Sequence, residues 1–73
     1  MGKLRILSGR EICAIPVKHG FVEARRRGSR IVMQKSLSET TITVPVPDHY
    51  EVRLGALQSI IRQSGIAKTE FEA

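Results

Sequence analysis

Residues 41–46, Thr-Ile-Thr-Val-Pro-Val, alternate without a break. Ile42, Val44 and Val46 fall on one side of an extended chain, and Thr41, Thr43 and Pro45 on the other. Such a strand buries one face only. In a chain of 73 residues that face has to be covered by helices, which restricts the fold to two layers. Pro45 and Pro47 have no amide hydrogen to give to a ladder, so the strand belongs at a sheet edge. The length allows one domain, residues 1–73, and a deep cofactor cavity beside a working core does not fit into it. No cofactor is expected.

The flanking segments supply the covering layer. Ser8-Gly9-Arg10-Glu11 is a capping box, with Leu7 and Ile12 spaced for a hydrophobic staple. It opens a helix that places Ile12, Ile15 and His19 on one face and stops at Gly20. Pro16 conflicts with this helix: it removes an amide donor and crowds the preceding turn, at about 3 kcal/mol in a helix interior. A kink or an early end is therefore expected there. Later, Leu54, Leu57, Ile60 and Ile61 form a second helical stripe ending at Gly65, with Ile66 able to fold back on Ile61 as in a Schellman motif. Residues 69–71 can form a last short turn.

Between the helices, residues 21–27 and 30–35 read as strands joined by a Gly28-Ser29 turn. A two-residue loop pairs Arg26 with Ile31 and Ala24 with Met33. Val22, Ala24, Ile31 and Met33 then face the core, and Glu23, Arg25, Arg27, Arg30, Val32 and Gln34 face outwards. Phe21 is expected in the core. The resulting order, α-β-β-β-α, is an α+β two-layer sandwich: a three-stranded antiparallel sheet with two helices on one face and the other face open.

Charge is what singles out the open face. The chain carries +5 overall, but residues 21–35 hold +4 and residues 36–52 hold −3. A polyanion is the partner class this suggests. With one cysteine, Cys13, there is no internal disulfide or multi-cysteine metal site, and Cys13 reads as a small buried apolar residue. No metal-ligand spacing or nucleophilic triad is present. The longest apolar run, residues 12–17, is far below the ~20 residues of a membrane span, and the start of the chain has no secretory h-region or myristoylation pattern. A cytoplasmic protein with no membrane partner is expected.

Several segments together resemble the HicA-type toxins: the capped helix running into Lys18-His19-Gly20-Phe21, the arginine-rich strand entering Arg27-Gly28-Ser29, the Thr43-Val44-Pro45 strand, and residues 54–66, Leu-Gly-Ala-Leu-Gln-Ser-Ile-Ile-Arg-Gln-Ser-Gly-Ile. The likeness spans residues 7–71. It implies a double-stranded-RNA-binding-like fold and the toxin of a type II toxin–antitoxin pair. Such a toxin is a metal-independent endoribonuclease, an mRNA interferase that inhibits translation and is neutralised by a HicB-type antitoxin.

The likeness breaks where the chemistry sits. The family carries Gly-Ser-His, with the histidine catalytic; here the motif is Gly28-Ser29-Arg30. Imidazole titrates near neutral pH and can move the proton of a 2′-hydroxyl, whereas a guanidinium stays protonated and cannot act as a base. Losing such a group lowers the rate by ~10²–10⁴. Arg30 can still hold a phosphate bidentately. The expected site is therefore Arg30 at the catalytic position with Ser29 and Gly28 beside it, and Arg25, Arg27, Arg30 and Lys35 on RNA. The expected activity is attenuated or absent. Pro16 is a second departure, and the two are compatible with either a natural attenuated toxin or an introduced inactive variant. His19 reads as a helix-capping or core-edge residue, and His49, in a loop beside Tyr50, as a residue that can line a site. The competing function is a non-catalytic double-stranded-RNA-binding module; a third is a domain whose basic face meets an acidic protein. Whether the chain is a monomer or a small homo-oligomer is left open.

Overall fold

The computed structural model describes residues 3–72. Met1 and Gly2, on which part of the lipidation reading rests, lie outside the described residues. The elements are α1 (Gly9–Lys18), β1 (Val22–Arg27), β2 (Arg30–Ser36), β3 (Thr41–Pro47), α2 (Leu54–Ser64) and a closing 3-10 turn at Lys68–Phe71. The strands form one antiparallel sheet in the order β1-β2-β3, so the α+β architecture is the expected one. The core takes Ile31, Met33, Val44 and Val46 from one face of the sheet and Ile12, Ile15, Leu57 and Ile60 from the helices. Phe71 in the closing turn is fully buried among them.

The capping box forms as read: the Ser8 hydroxyl accepts from the Glu11 amide at 3.2 Å, and the Glu11 carboxylate accepts from the Ser8 amide at 2.9 Å. Those bonds hold the Glu11 carboxyl below its ordinary range. Leu7 and Ile12 are both buried. Pro16 neither ends α1 nor cuts it short, because it falls in the last turn, where one missing intrahelical bond affects little of the ladder. Its ring is buried, and its carbonyl accepts from the amides of His19, at 2.8 Å, and Phe21, at 3.0 Å, which turns the chain into β1. His19 lies past the helix end as its cap and is exposed, so it does not continue the apolar face.

The hairpin corrects one expectation. Near the turn the register is as read, with Arg27 opposite Arg30, Arg26 opposite Ile31 and Arg25 opposite Val32. Beyond a bulge at Ala24, Glu23 lies opposite Met33 and Val22 opposite Gln34. The extra residue reverses the facing of everything before it. Val22 leaves the core side and is 61% exposed, and Ala24 is exposed as well. Phe21 gains the helix side and is 2% exposed. Phe21 and Val22 are adjacent, so one strand cannot bury both. Burying the phenyl ring is worth more than burying the valine, which decides the register.

At the other end, Gly65 takes the left-handed conformation, φ 72°, and its amide donates to the Ile61 carbonyl at 3.2 Å. The Ile66 amide donates to the Ser64 hydroxyl at 3.1 Å, and that hydroxyl donates to the Ile61 carbonyl at 3.0 Å. The ending is thus the simpler αL motif with a serine bridge, in place of a full Schellman motif. Leu54, assigned to the buried stripe, stands at the first turn and is exposed.

The segment after β3 ties the layers together. Asp48 donates its amide to the Ser29 carbonyl at 2.7 Å, the Gly9 amide donates to the His49 carbonyl at 2.8 Å, and the Val52 amide donates to the Leu7 carbonyl at 2.8 Å. Gly9 is buried so closely on this segment that a Cβ would collide with the Pro47 carbonyl oxygen and crowd Asp48. Gly55, in the first turn of α2, faces open space at an ordinary negative φ. The same substitution should therefore act in opposite directions. Gly9→Ala should destabilise the protein by about 1–3 kcal/mol through overpacking, while Gly55→Ala should stabilise it by roughly 0.5–1 kcal/mol. Urea unfolding of the two variants tests this, and a shift of the same sign in both would overturn it.

Candidate nucleic-acid interface

The side of the sheet that the helices leave uncovered can be read across the strand pairs. Its rows are Arg27, Arg30 and Pro47; then Arg25, Val32 and Pro45; then Val22, Gln34 and Thr43. Val32, in the centre, is only 5% exposed, although it does not belong to the core packed by the helices. It lies directly between Arg25 and Pro45, and arginine stems commonly cover apolar surface in this way. Arg25, Arg27, Arg30 and Val32, with Thr43 and Pro45, line a shallow depression of about 410 Å³. Arg30 also reaches a groove of about 180 Å³ between the β3 prolines and Ser59 and Gln63 of α2.

The bulge sorts the charges. An uninterrupted strand would put Glu23 beside Arg25 and Arg27; here it faces the helix side, opposite Met33. The outer face carries three arginines and no carboxylate. Among the described residues none of the three forms an ion pair. Arg27 and Arg30 lie directly opposite each other, a like-charge pairing that weakens a hairpin unless an anion sits between them. Guanidinium groups are suited to that role, since each can donate two parallel hydrogen bonds to a phosphate.

Arg26 and Lys35 point the other way. Arg26 donates to the Asp48 carboxylate at 2.6 Å, and Arg10 of α1 approaches the second oxygen of Asp48 at 3.8 Å. The Arg26 hydrogen bond holds the Asp48 carboxyl below its ordinary range and raises the guanidinium's own pKa. Lys35 shares the helix side with Ile31 and Met33, and its Nζ lies 5.9 Å from the centroid of the Phe21 ring, a cation–π contact. The structure therefore brings together Arg25, Arg27 and Arg30 of the expected set and separates Lys35 from them.

Gly28 and Ser29 form the two-residue turn that carries Arg30. Gly28 has φ 59° and Ser29 does not have a positive φ, the requirement of a type II′ hairpin turn. The amide of Asp48 holds this turn from behind through the Ser29 carbonyl. His19 contacts Glu70 at 3.3 Å and tethers the end of α1 to the closing turn, as a capping residue would. His49 is exposed and, with Ser8, Arg10, Asp48 and Tyr50, lines a concavity of about 330 Å³ beside the turn end of the sheet. Burial pushes the Cys13 thiol up to about 11, with the Glu23 and Asp48 carboxylates adding to the effect, so it is a poor nucleophile at neutral pH. Among the described residues no three His, Cys, Asp or Glu side chains gather closely enough to hold a metal ion, and no helix is long and apolar enough to cross a membrane.

Sequence reasoning missed Asp48 as the anchor of the turn. Its partner Arg26 is 22 residues away, and nothing local marks the pair. It also gave no weight to Tyr50, although the polar neighbours His49 and Glu51 indicate an exposed ring.

The α-β-β-β-α scaffold with one cationic, carboxylate-free sheet face is a small two-layer α+β domain. The family model described as the HicA toxin of bacterial toxin–antitoxin matches residues 9–66. The chain belongs to this family, whose members are toxins, typically mRNA interferases, paired with HicB-type antitoxins. No curated protein and no solved structure matches it.

The Asp48 clamp has a pH signature. A carboxyl group whose native pKa is depressed contributes stability above its unfolded value, and loses it as pH falls through the native value. The stability difference between the wild type and Asp48→Asn should be constant above the ordinary aspartate value of 3.8 and shrink below it. Urea titrations across acid pH measure this; a difference that persists unchanged into strong acid would contradict the clamp.

Proposed function

We propose that the chain is a HicA-type toxin that grips RNA through Arg25, Arg27 and Arg30. With Arg30 where the family carries its catalytic histidine, it cleaves that RNA weakly or not at all. The observation that carries this reading is the carboxylate-free face of three arginines, without ion pairs among the described residues, beside the Gly28-Ser29 turn. Three guanidinium groups on one surface complement the charge of a polynucleotide backbone and supply binding without reading bases. Chemistry then needs a proton-transfer group, which Arg30 cannot be. What Arg30 retains is electrostatic: it can stabilise charge developing on the scissile phosphate. The substrate class is mRNA in the cytoplasm. The partner is a HicB-type antitoxin, whose acidic surface over the arginine face would exclude RNA and neutralise three cations together.

Arg30→His should restore the missing group. Its expression should arrest growth, a co-expressed HicB-type antitoxin should relieve the arrest, and RNA cleavage in the presence of a chelator should rise by about 10²–10⁴-fold. A folded, harmless Arg30→His protein that still binds structured RNA would instead support the competing reading, a non-catalytic double-stranded-RNA-binding module. The guanidinium at position 30 is the observation that favours that reading.

Binding itself has a separate signature. Replacing Arg25 or Arg27 by Gln should reduce the slope of log affinity against log salt by about 0.7–0.9 per arginine. Lys35→Gln, on the opposite face, should leave the slope nearly unchanged. An equal effect of Lys35 would mean that RNA does not lie on the open sheet face.

A further inference from the structure

The chain has three aromatic residues, Phe21, Phe71 and Tyr50. The two phenylalanines are almost wholly buried, while the Tyr50 ring is fully exposed. It stands on the rim of the 330 Å³ concavity with Ser8, Arg10, Asp48 and His49. This concavity is fixed to the hairpin turn, because the Asp48 amide donates to the Ser29 carbonyl at 2.7 Å, and to α1, because the Gly9 amide donates to the His49 carbonyl at 2.8 Å. It therefore holds a constant position relative to Arg27 and Arg30, which flank the same turn.

We infer that this concavity is a subsite for one unpaired RNA base, stacked on Tyr50, with the flanking phosphate held by Arg10. The inference rests on the RNA-binding reading above and adds a substrate class to it: single-stranded RNA. An exposed aromatic ring offers a π-face that any base can use, but only a base free of its own stack can take it. The charge around the ring agrees. Asp48 is the one carboxylate lining the concavity, and its charge is neutralised by Arg26 at 2.6 Å and approached by Arg10 at 3.8 Å. Arg10 is largely exposed and makes only the longer contact, which leaves donors free for a phosphate. A polynucleotide lying on Arg25, Arg27 and Arg30 thus meets, around the turn end of the sheet, an aromatic platform next to a further guanidinium. A duplex has no free base to place there.

Tyr50 is the chain's one tyrosine and tryptophan is absent, so a Tyr50→Trp variant reports on this position alone, with excitation outside the absorption of nucleic acid. The probes are a short single-stranded oligoribonucleotide and the same sequence annealed to its complement. The single strand should quench the indole fluorescence of this variant, and the duplex should not. Tyr50→Ala should weaken binding of the single strand by about tenfold and leave duplex binding unchanged, while Tyr50→Phe should retain the affinity. Because the ring touches no core, its removal should leave thermal stability near that of the wild type. Unchanged single-strand affinity in Tyr50→Ala, without quenching in Tyr50→Trp, overturns the subsite while the arginine face stands. Equal weakening for single strand and duplex overturns the assignment to an unpaired base. Failure of the wild type to bind either RNA at low salt overturns the RNA-binding reading as a whole.

Discussion

Phe21 has to reach the helix side of the sheet, and the rest of the architecture follows from how it gets there. The hairpin turn sets the parity of β1, and with that parity Phe21 would lie among the arginines. One extra residue at Ala24 reverses the parity between the turn and the start of the strand. Fully burying a phenylalanine side chain is worth about 1.5–3 kcal/mol. The phenyl ring has more apolar surface than the valine side chain, so the register that buries Phe21 is favoured over the one that buries Val22. The same shift takes Glu23 away from Arg25 and Arg27. Core packing and surface charge are thus set by one backbone irregularity.

The second organising element is the segment from Pro47 to Val52. It has no regular structure beyond the end of β3, yet it bonds to the hairpin turn, to the start of α1 and to the residue before the capping box. Gly9 permits the close approach of α1 to it. Asp48 contributes twice, with its amide on Ser29 and its carboxylate on Arg26. The turn that carries Arg30 is therefore braced from the rear by polar contacts and not by a hydrophobic core. A braced two-residue turn can hold a side chain in place without a deep pocket, which a chain of this size could not provide.

Much of this was legible in the residues. The capping box, the alternating strand with its two prolines, the glycine stop of α2 and the Gly28-Ser29 turn each carry their signal within a few neighbours. They yielded the element order and the face shared by Arg25, Arg27 and Arg30. What was not legible depends on comparison across the chain. The bulge shows only as a conflict: Phe21 in the core is incompatible with Val22 and Ala24 in the core of one regular strand. Pro16 could be placed in the last turn of α1 only once the helix end was known. Lys35 looked like one more cation of the basic hairpin, and its parity puts it on Phe21 instead. Asp48 meets Arg26 through tertiary structure alone.

The two borders of the sheet also bear on how this protein behaves in a crowd of its own copies. A three-stranded sheet with two open edges is a template on which identical chains can add strand to strand. On β3, Pro45 and Pro47 withhold two donors from any incoming strand. On β1, the bulge breaks the regular spacing, and Arg25, Arg26 and Arg27 repel an in-register copy. The arginines of β1 thus also act as gatekeepers against fibril growth, so a change that neutralised them would expose the chain to aggregation.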